Sequence, residues 1–209
     1  SQLRRKLRRD RDFNDDHILV SIDQSFSNYA MVKFVNGVAK ERCVFHTGDP
    51  TAKKNKGKVY GKFFECPRLQ LDYLYSQVLD KIAEWNPHDI CQEGLAFSAT
   101  GNMERQLGAL YFGVMVSLRR ELGYSYDNLH VVTPTQCKSM AREFMVGDDR
   151  FAKEDGIIVT LRSGKRKLNP MKEKKLMLQA LQNTPHAWIV DGYTRDGLVR
   201  SKTTDTGIE

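Results

Sequence analysis

Ile18-Leu19-Val20-Ser21-Ile22-Asp23, a short polar turn, and then Asn28-Tyr29-Ala30-Met31-Val32-Lys33-Phe34-Val35-Asn36-Gly37-Val38 decide the architecture of this chain. The run Ile18 to Asp23 is apolar and ends on a polar turn, which predicts a strand. Asn28 to Val35 alternates through Tyr29, Met31, Lys33 and Val35 and predicts a second strand. Asn36-Gly37 is the dipeptide favoured in two-residue hairpin turns, so Val38 to His46 is expected to fold back antiparallel.

Beyond this hairpin the pattern becomes helical. Leu69, Tyr73, Val78, Ile82 and Trp85 are expected to share one face of a long amphipathic helix that Pro87 stops. Asp89 to Gln92 reads as a short strand leading into Glu93. A polar glycine loop precedes a second helix, Asn102 to Leu122, with Leu107, Leu110, Tyr111, Val114 and Leu118 as its apolar stripe. Gly108 and Gly113 on that helix permit close helix approach. Leu129 to Val132 is a further strand, ended by Thr133-Pro134, and Thr135 is placed to cap a helix reaching Phe144.

Residues 147–169 depart from this alternation and read as an inserted hairpin. Ile157 to Leu161 supplies one arm, Ser163-Gly164 the turn, and Arg166 to Leu168 the return. Pro170 opens a last helix in which Leu176, Met177, Leu178 and Leu181 define no single face, and the chain after Pro185 is turn-rich. A hairpin followed by alternating helices and strands gives an α/β fold with a sheet of mixed direction.

Composition narrows the functional classes. The 209 residues fit one domain, and 40% hydrophobic content is enough to bury a core, which argues against a disordered chain. No apolar run approaches the roughly 20 residues that cross a bilayer. Leu3 and Leu7 are the only aliphatic residues before Ile18, so no signal-peptide apolar region is present and a cytoplasmic protein is expected, without membrane partners. Cys43, Cys66, Cys91 and Cys137 form no C-x-x-C pair, which argues against a zinc site and predicts reduced, mostly buried thiols.

Charge is placed more tellingly than its sum of +7 suggests. Residues 1–16 form a basic N-terminal arm that carries Arg4, Arg5, Lys6, Arg8, Arg9 and Arg11. Lys53, Lys54, Lys56, Lys58 and Lys62 lie in a stretch with no acid between Pro50 and Lys62. Lys165, Arg166 and Lys167 follow Gly164, and Lys172, Lys174 and Lys175 come soon after. Three basic segments around one domain point to nucleic acid, bound through phosphates and therefore salt-dependent.

Two acids fall at equivalent places in the predicted sheet. Asp23 ends the first strand and Glu93 ends the strand Ile90-Cys91-Gln92-Glu93. If those strands are neighbours, both carboxylates emerge at one sheet edge, where open α/β sheets bind ligands. Paired carboxylates repel unless a cation separates them, and hard oxygen ligands suit Mg²⁺ or Mn²⁺. Each acid precedes a polar turn with small residues, Gln24-Ser25-Phe26-Ser27 and Gly94-Leu95-Ala96-Phe97-Ser98.

The segments Ser21-Ile22-Asp23-Gln24-Ser25, Gln92-Glu93-Gly94-Leu95-Ala96-Phe97 and Leu107-Gly108-Ala109-Leu110-Tyr111-Phe112-Gly113-Val114, in this order, resemble the phage-type branch of the RuvC family of Holliday junction resolvases. The resemblance spans about residues 18–181. It implies a ribonuclease H-like, mixed five-stranded sheet flanked by helices over residues 17–209, carrying the basic hairpin insertion. It also implies a homodimer that cuts opposing strands of four-way DNA junctions, leaving 5′-phosphate and 3′-hydroxyl ends. If the gene is phage-borne, the protein acts in the host cytoplasm.

The implied cofactor is Mg²⁺ or Mn²⁺, two ions roughly 4 Å apart, with Asp23 bridging both and Glu93 holding one. Lys138 and Lys174 fall near the family's basic catalytic positions. Phe26 and Phe97, beside the two acids, are candidates to wedge or stack at unpaired bases, or else to pack under the loops of the site. Arg4, Arg5, Arg8, Lys53, Lys54, Lys56, Lys58, Lys165, Arg166 and Lys167 are the expected phosphate contacts.

The sequence departs from the family at its C-terminus, where a D-x-x-D-type pair on a final helix closes the site. Asp191 and Asp196 lie among Gly192, Tyr193, Arg195 and Gly197, which favour helix poorly. Either they complete the metal shell in another geometry, or, as the poor helix propensity favours, this chain lacks the last catalytic element. Sugar kinases and actin-like ATPases share the fold, but Gln24-Ser25-Phe26-Ser27 lacks their glycine-rich phosphate loop. A non-catalytic branched-DNA-binding module remains the rival reading.

Overall fold

The computed structural model describes residues 16–47, 64–95, 102–143, 158–160, 162–164, 166–168, 177 and 180–190. Strands β1 (Ile18–Asp23), β2 (Asn28–Val35) and β3 (Val38–His46) form the expected meander. Asn36 and Gly37 both take positive φ, 50° and 78°, the geometry a two-residue hairpin turn with right-handed strand twist demands. Helix α1 (Pro67–Trp85) leads to β4 (Asp89–Glu93), α2 (Asn102–Leu122) to β5 (Leu129–Val132), and α3 (Pro134–Glu143) follows. The inserted hairpin is present as a separate antiparallel pair, β6 (Ile158–Thr160) and β7 (Arg166–Leu168).

The main sheet has the order β3-β2-β1-β4-β5. β2 runs antiparallel to β1 and β3, whereas β4 lies parallel to β1 and β5 parallel to β4. This is the mixed five-stranded sheet flanked by helices expected of a ribonuclease H-like fold. Val20, Ile22, Tyr29, Met31 and Ile90 point to one face and pack against Leu74, Val78 and Ile82 of α1 and Leu110, Val114 and Leu118 of α2. Ala30, Val32 and Ala39 point to the other face and meet Ile189, with Leu181 and Trp188 beside them. Arg42 donates to the carbonyls of Trp188 and Ile189, which caps the short 3-10 turn Ala187–Val190 against β3.

Three local expectations are corrected. Leu69 is 58% exposed, because nine residues at about 100° each put it opposite Val78; Leu74 and Leu79 complete the buried face instead. Among the described residues a Cβ built on Gly108 would meet only Leu95, at ordinary contact distance, whereas one on Gly113 would collide with Tyr75, so close helix approach there rests on Gly113. Thr133, not Thr135, caps α3: its hydroxyl accepts the Gln136 N–H at 3.2 Å, while the Gln136 side-chain oxygen accepts the Thr133 N–H at 2.8 Å. Pro134 then takes the first helical position, where no N–H is needed. All four cysteines are free and half-buried rather than fully buried. No helix among the described residues is long and apolar enough to cross a membrane.

The N-terminal ends of the three parallel strands are tied by side chains. His17 Nε2 lies 2.7 Å from one Asp89 carboxylate oxygen and His130 Nε2 lies 3.0 Å from the other. Burial alone would raise the Asp89 carboxyl, but hydrogen bonds from His130, His17 and Asn128 outweigh it and hold the group below the usual carboxylate range.

Candidate metal and nucleic-acid site

The opposite edge of the sheet carries the two acids. Asp23 closes β1, paired on its outer side with Ala30 of β2, and Glu93 closes β4, paired on its outer side with Val132 of β5. β1 and β4 are hydrogen-bonded neighbours whose paired register ends at Ile22↔Gln92, one residue before each acid. Side chains alternate across a sheet, so Ile22 and Gln92 point into the helix-covered core while Asp23 and Glu93 both emerge on the other face. Both acids are half-buried.

Helix α3 brings a third element to this edge. The Cys137 thiol is pushed up, first by burial and then by the nearby Glu93 carboxylate, the Cys91 thiol and the Asp23 carboxylate. The charges of both acids thus reach this thiol on α3, the helix that follows β5. Lys138 follows it in the sequence and is half-buried. Under the acids, the Tyr29 hydroxyl is fully buried, and its pKa is raised by that burial and then by Asp23 and Tyr75. The phenol is thus neutral at all working pH values.

A chain of side-chain amides lies between the two strand ends. Gln92, fully buried, donates through Nε2 to Gln24 Oε1 at 2.6 Å, and Gln24 Nε2 donates to the Glu93 backbone carbonyl at 3.0 Å. On the far side, Gly94 N–H donates to Val132 O at 2.8 Å and prolongs the β4–β5 pairing past Glu93. Two hard carboxylates side by side fit a divalent cation of the Mg²⁺ type in donor chemistry. Among the described residues no cluster of three or more His, Cys, Asp or Glu is arranged to hold a metal ion, so a cation held there would need ligands besides this pair.

The predicted site residues divide as follows. Asp23 and Glu93 end neighbouring strands, and Lys138 lies on α3, the helix that follows β5. Phe26 is half-buried against the helix-side core, which is the packing alternative for that ring, and its carbonyl accepts from Gln70 Nε2 at 2.8 Å. Arg166 and Lys167 lie on β7, with Thr160 and Val159 of β6 as their register partners. Lys165, Lys174, Asp191, Asp196, Phe97, Arg4, Arg5, Arg8, Lys53, Lys54, Lys56 and Lys58 lie outside the described residues.

Sequence reasoning passed over Gln24, Gln92 and Cys137. The two glutamines could have been noticed as amides flanking each acid, one after Asp23 and one before Glu93. Nothing in local sequence signals that charges more than forty positions upstream reach the Cys137 thiol.

No family model matches the sequence, and a search of curated proteins finds no relative. Among solved structures, the chain is similar to T. thermophilus RuvC in complex with Holliday junction substrate, at 12% identity and a TM-score of 0.43, over 81% of this chain and 97% of that one. A second Thermus thermophilus RuvC structure gives 12% identity and a TM-score of 0.41 over 82% and 94%. An Aquifex aeolicus member of the Ppx/GppA family gives 15% identity and 0.31 over 61% and 38%. At such values the fold assignment rests on the strand order and directions themselves.

Proposed function

We propose that this protein is a structure-selective DNA endonuclease that resolves four-way junctions by metal-dependent phosphodiester hydrolysis. The observation that carries the reading is the convergence of Asp23 and Glu93 on one face, at adjacent ends of the parallel strands β1 and β4. The sequence segments that hold these acids are those that resemble the phage-type RuvC branch, which is why junction DNA is the substrate favoured over other polyanions.

In this reading Asp23 and Glu93 hold the cation, and Asp191 and Asp196 are candidates for the remaining ligands. A bound Mg²⁺ or Mn²⁺ supplies an activated water and charge stabilisation for the departing 3′ oxygen. Lys138 offers a cation to the scissile phosphate, with Lys174 a second candidate. The arm at residues 1–16, the Lys53 to Lys62 segment and the Lys165-Arg166-Lys167 hairpin bind phosphates and position the duplex arms without reading sequence. A homodimer would place two such sites against opposing strands. Phe112 and Val116, one turn apart on α2 and 62% and 48% exposed, offer an apolar face for the second copy.

The test is cleavage of a synthetic four-way junction in Mg²⁺ by the wild type and by Asp23→Asn. Paired nicks from the wild type and none from the variant support the reading. Equal nicking by both removes Asp23 from the chemistry. Tight junction binding with no nicking by either favours the non-catalytic branched-DNA-binding module.

A further inference from the structure

The two acids are each anchored on the outer flank, Asp23 by β2 and Glu93 by β5, but the backbone ladder between β1 and β4 stops at Ile22↔Gln92. What spans the gap is the amide chain: Gln92 Nε2 to Gln24 Oε1 at 2.6 Å, then Gln24 Nε2 to Glu93 O at 3.0 Å. Gln24 directly follows Asp23 and Gln92 directly precedes Glu93. The side chains therefore extend the β1–β4 pairing by one step, at the level where the carboxylates leave the sheet.

Core packing does not call for amides here. Gln92 is fully buried and Gln24 is 8% exposed. The Gln92 Oε1 atom has no hydrogen-bond partner among the described residues, and burying an amide carries a desolvation cost that an apolar residue of the same length would avoid. The polar pair is worth that cost only if its directed hydrogen bonds fix something that packing leaves free. The quantity left free by the end of the ladder is the separation of the two acid-bearing backbones.

We infer that Gln24 and Gln92 are positioning residues that set the spacing and orientation of Asp23 and Glu93 for one divalent cation. This rests on the reading of those acids as a cation-holding pair. Neither glutamine touches the cation; each acts through the backbone of an acid. Partners of this kind, one bond removed from a ligand, typically change metal affinity or activity by roughly 10- to 100-fold when removed.

The experiment compares the wild type with Gln92→Met, Gln24→Met and the double variant. Mn²⁺ affinity is measured on the full chain without DNA by electron paramagnetic resonance, and junction cleavage is followed as a function of Mg²⁺ concentration. Each single variant is expected to weaken Mn²⁺ binding by roughly tenfold and to move half-maximal cleavage to correspondingly higher Mg²⁺. The double variant should lose no more than either single, since the amide chain is severed once. Thermal midpoints should fall in the single variants, each of which leaves one amide unpaired, and should hold or rise in the double variant, which a purely structural role for the amides would not produce. If Gln92→Met fails to fold, Gln24→Met, at the margin of the core, carries the same comparison. Unchanged Mn²⁺ affinity in a folded variant, with a wild type that binds Mn²⁺, overturns this inference alone. A wild type that neither binds Mn²⁺ nor cleaves overturns the carboxylate-pair reading, and the inference with it.

Discussion

Tyr75 of α1 fills the space that a side chain at Gly113 of α2 would need. Its hydroxyl donates to the Ala109 carbonyl at 2.6 Å, and a Cβ built on Gly113 would stand 1.2 Å from that oxygen. The glycine is thus spent on contact between two helices of one chain. Gly113→Ala must expel the phenol and is expected to destabilise by about 1 to 3 kcal/mol. In a Tyr75→Ala background the clash is gone, and the same change should instead stabilise by about 0.5 to 1 kcal/mol, since alanine favours helix over glycine. Urea unfolding of the four proteins checks this reversal of sign.

The reciprocal hydrogen bonds of Thr133 and Gln136 fix where α3, the helix that carries Cys137 and Lys138, begins. Thr133→Ala should cost about 1 kcal/mol of stability, whereas Thr133→Ser should cost little. Chemical denaturation measures both. On the proposed function, cleavage should fall more in the alanine variant than in the serine one.

Asp89 gives a pH prediction at the far end of the sheet. Its folded-state pKa is depressed, so its contribution is fully present above the unfolded value of about 3.9 and is lost as pH falls through the lower folded value. Asp89→Asn removes that contribution. The stability gap between wild type and variant should be open at pH 6 and should narrow as pH is lowered toward 3. Denaturant midpoints across that range test it, and a gap independent of pH would mean that the carboxyl is not depressed in the fold.

Phe112 and Val116 give a prediction for assembly. A protein that dimerises through this face should sediment as a dimer at micromolar concentration, and Phe112→Glu with Val116→Glu should yield a folded monomer, because both positions are solvent-exposed in the single chain. Sedimentation equilibrium decides it. A monomeric wild type counts against the paired-strand cleavage that the proposed function includes.

The order of the elements was legible because each was written locally. An apolar run ending on a polar turn marks β1, alternation marks β2, Asn36-Gly37 marks the hairpin from β2 to β3, and spacing at helical period marks α2. The same reading erred at Leu69, where apolar character was counted without its angle, and at Thr135, where the Thr133-Pro134-Thr135-Gln136 cap signature was present but passed over.

The sequence by itself determined that Asp23 and Glu93 each close a strand, since an apolar run ending in an acid is a local pattern. Only the tertiary structure decided that they are neighbours, because adjacency comes from β4 pairing parallel to β1 after a helical crossover. The same holds for the Gln24–Gln92 bridge. The bridge joins residues far apart in the chain, and it exists because burying the helix faces on one side of the sheet leaves a single register in which β1 and β4 meet.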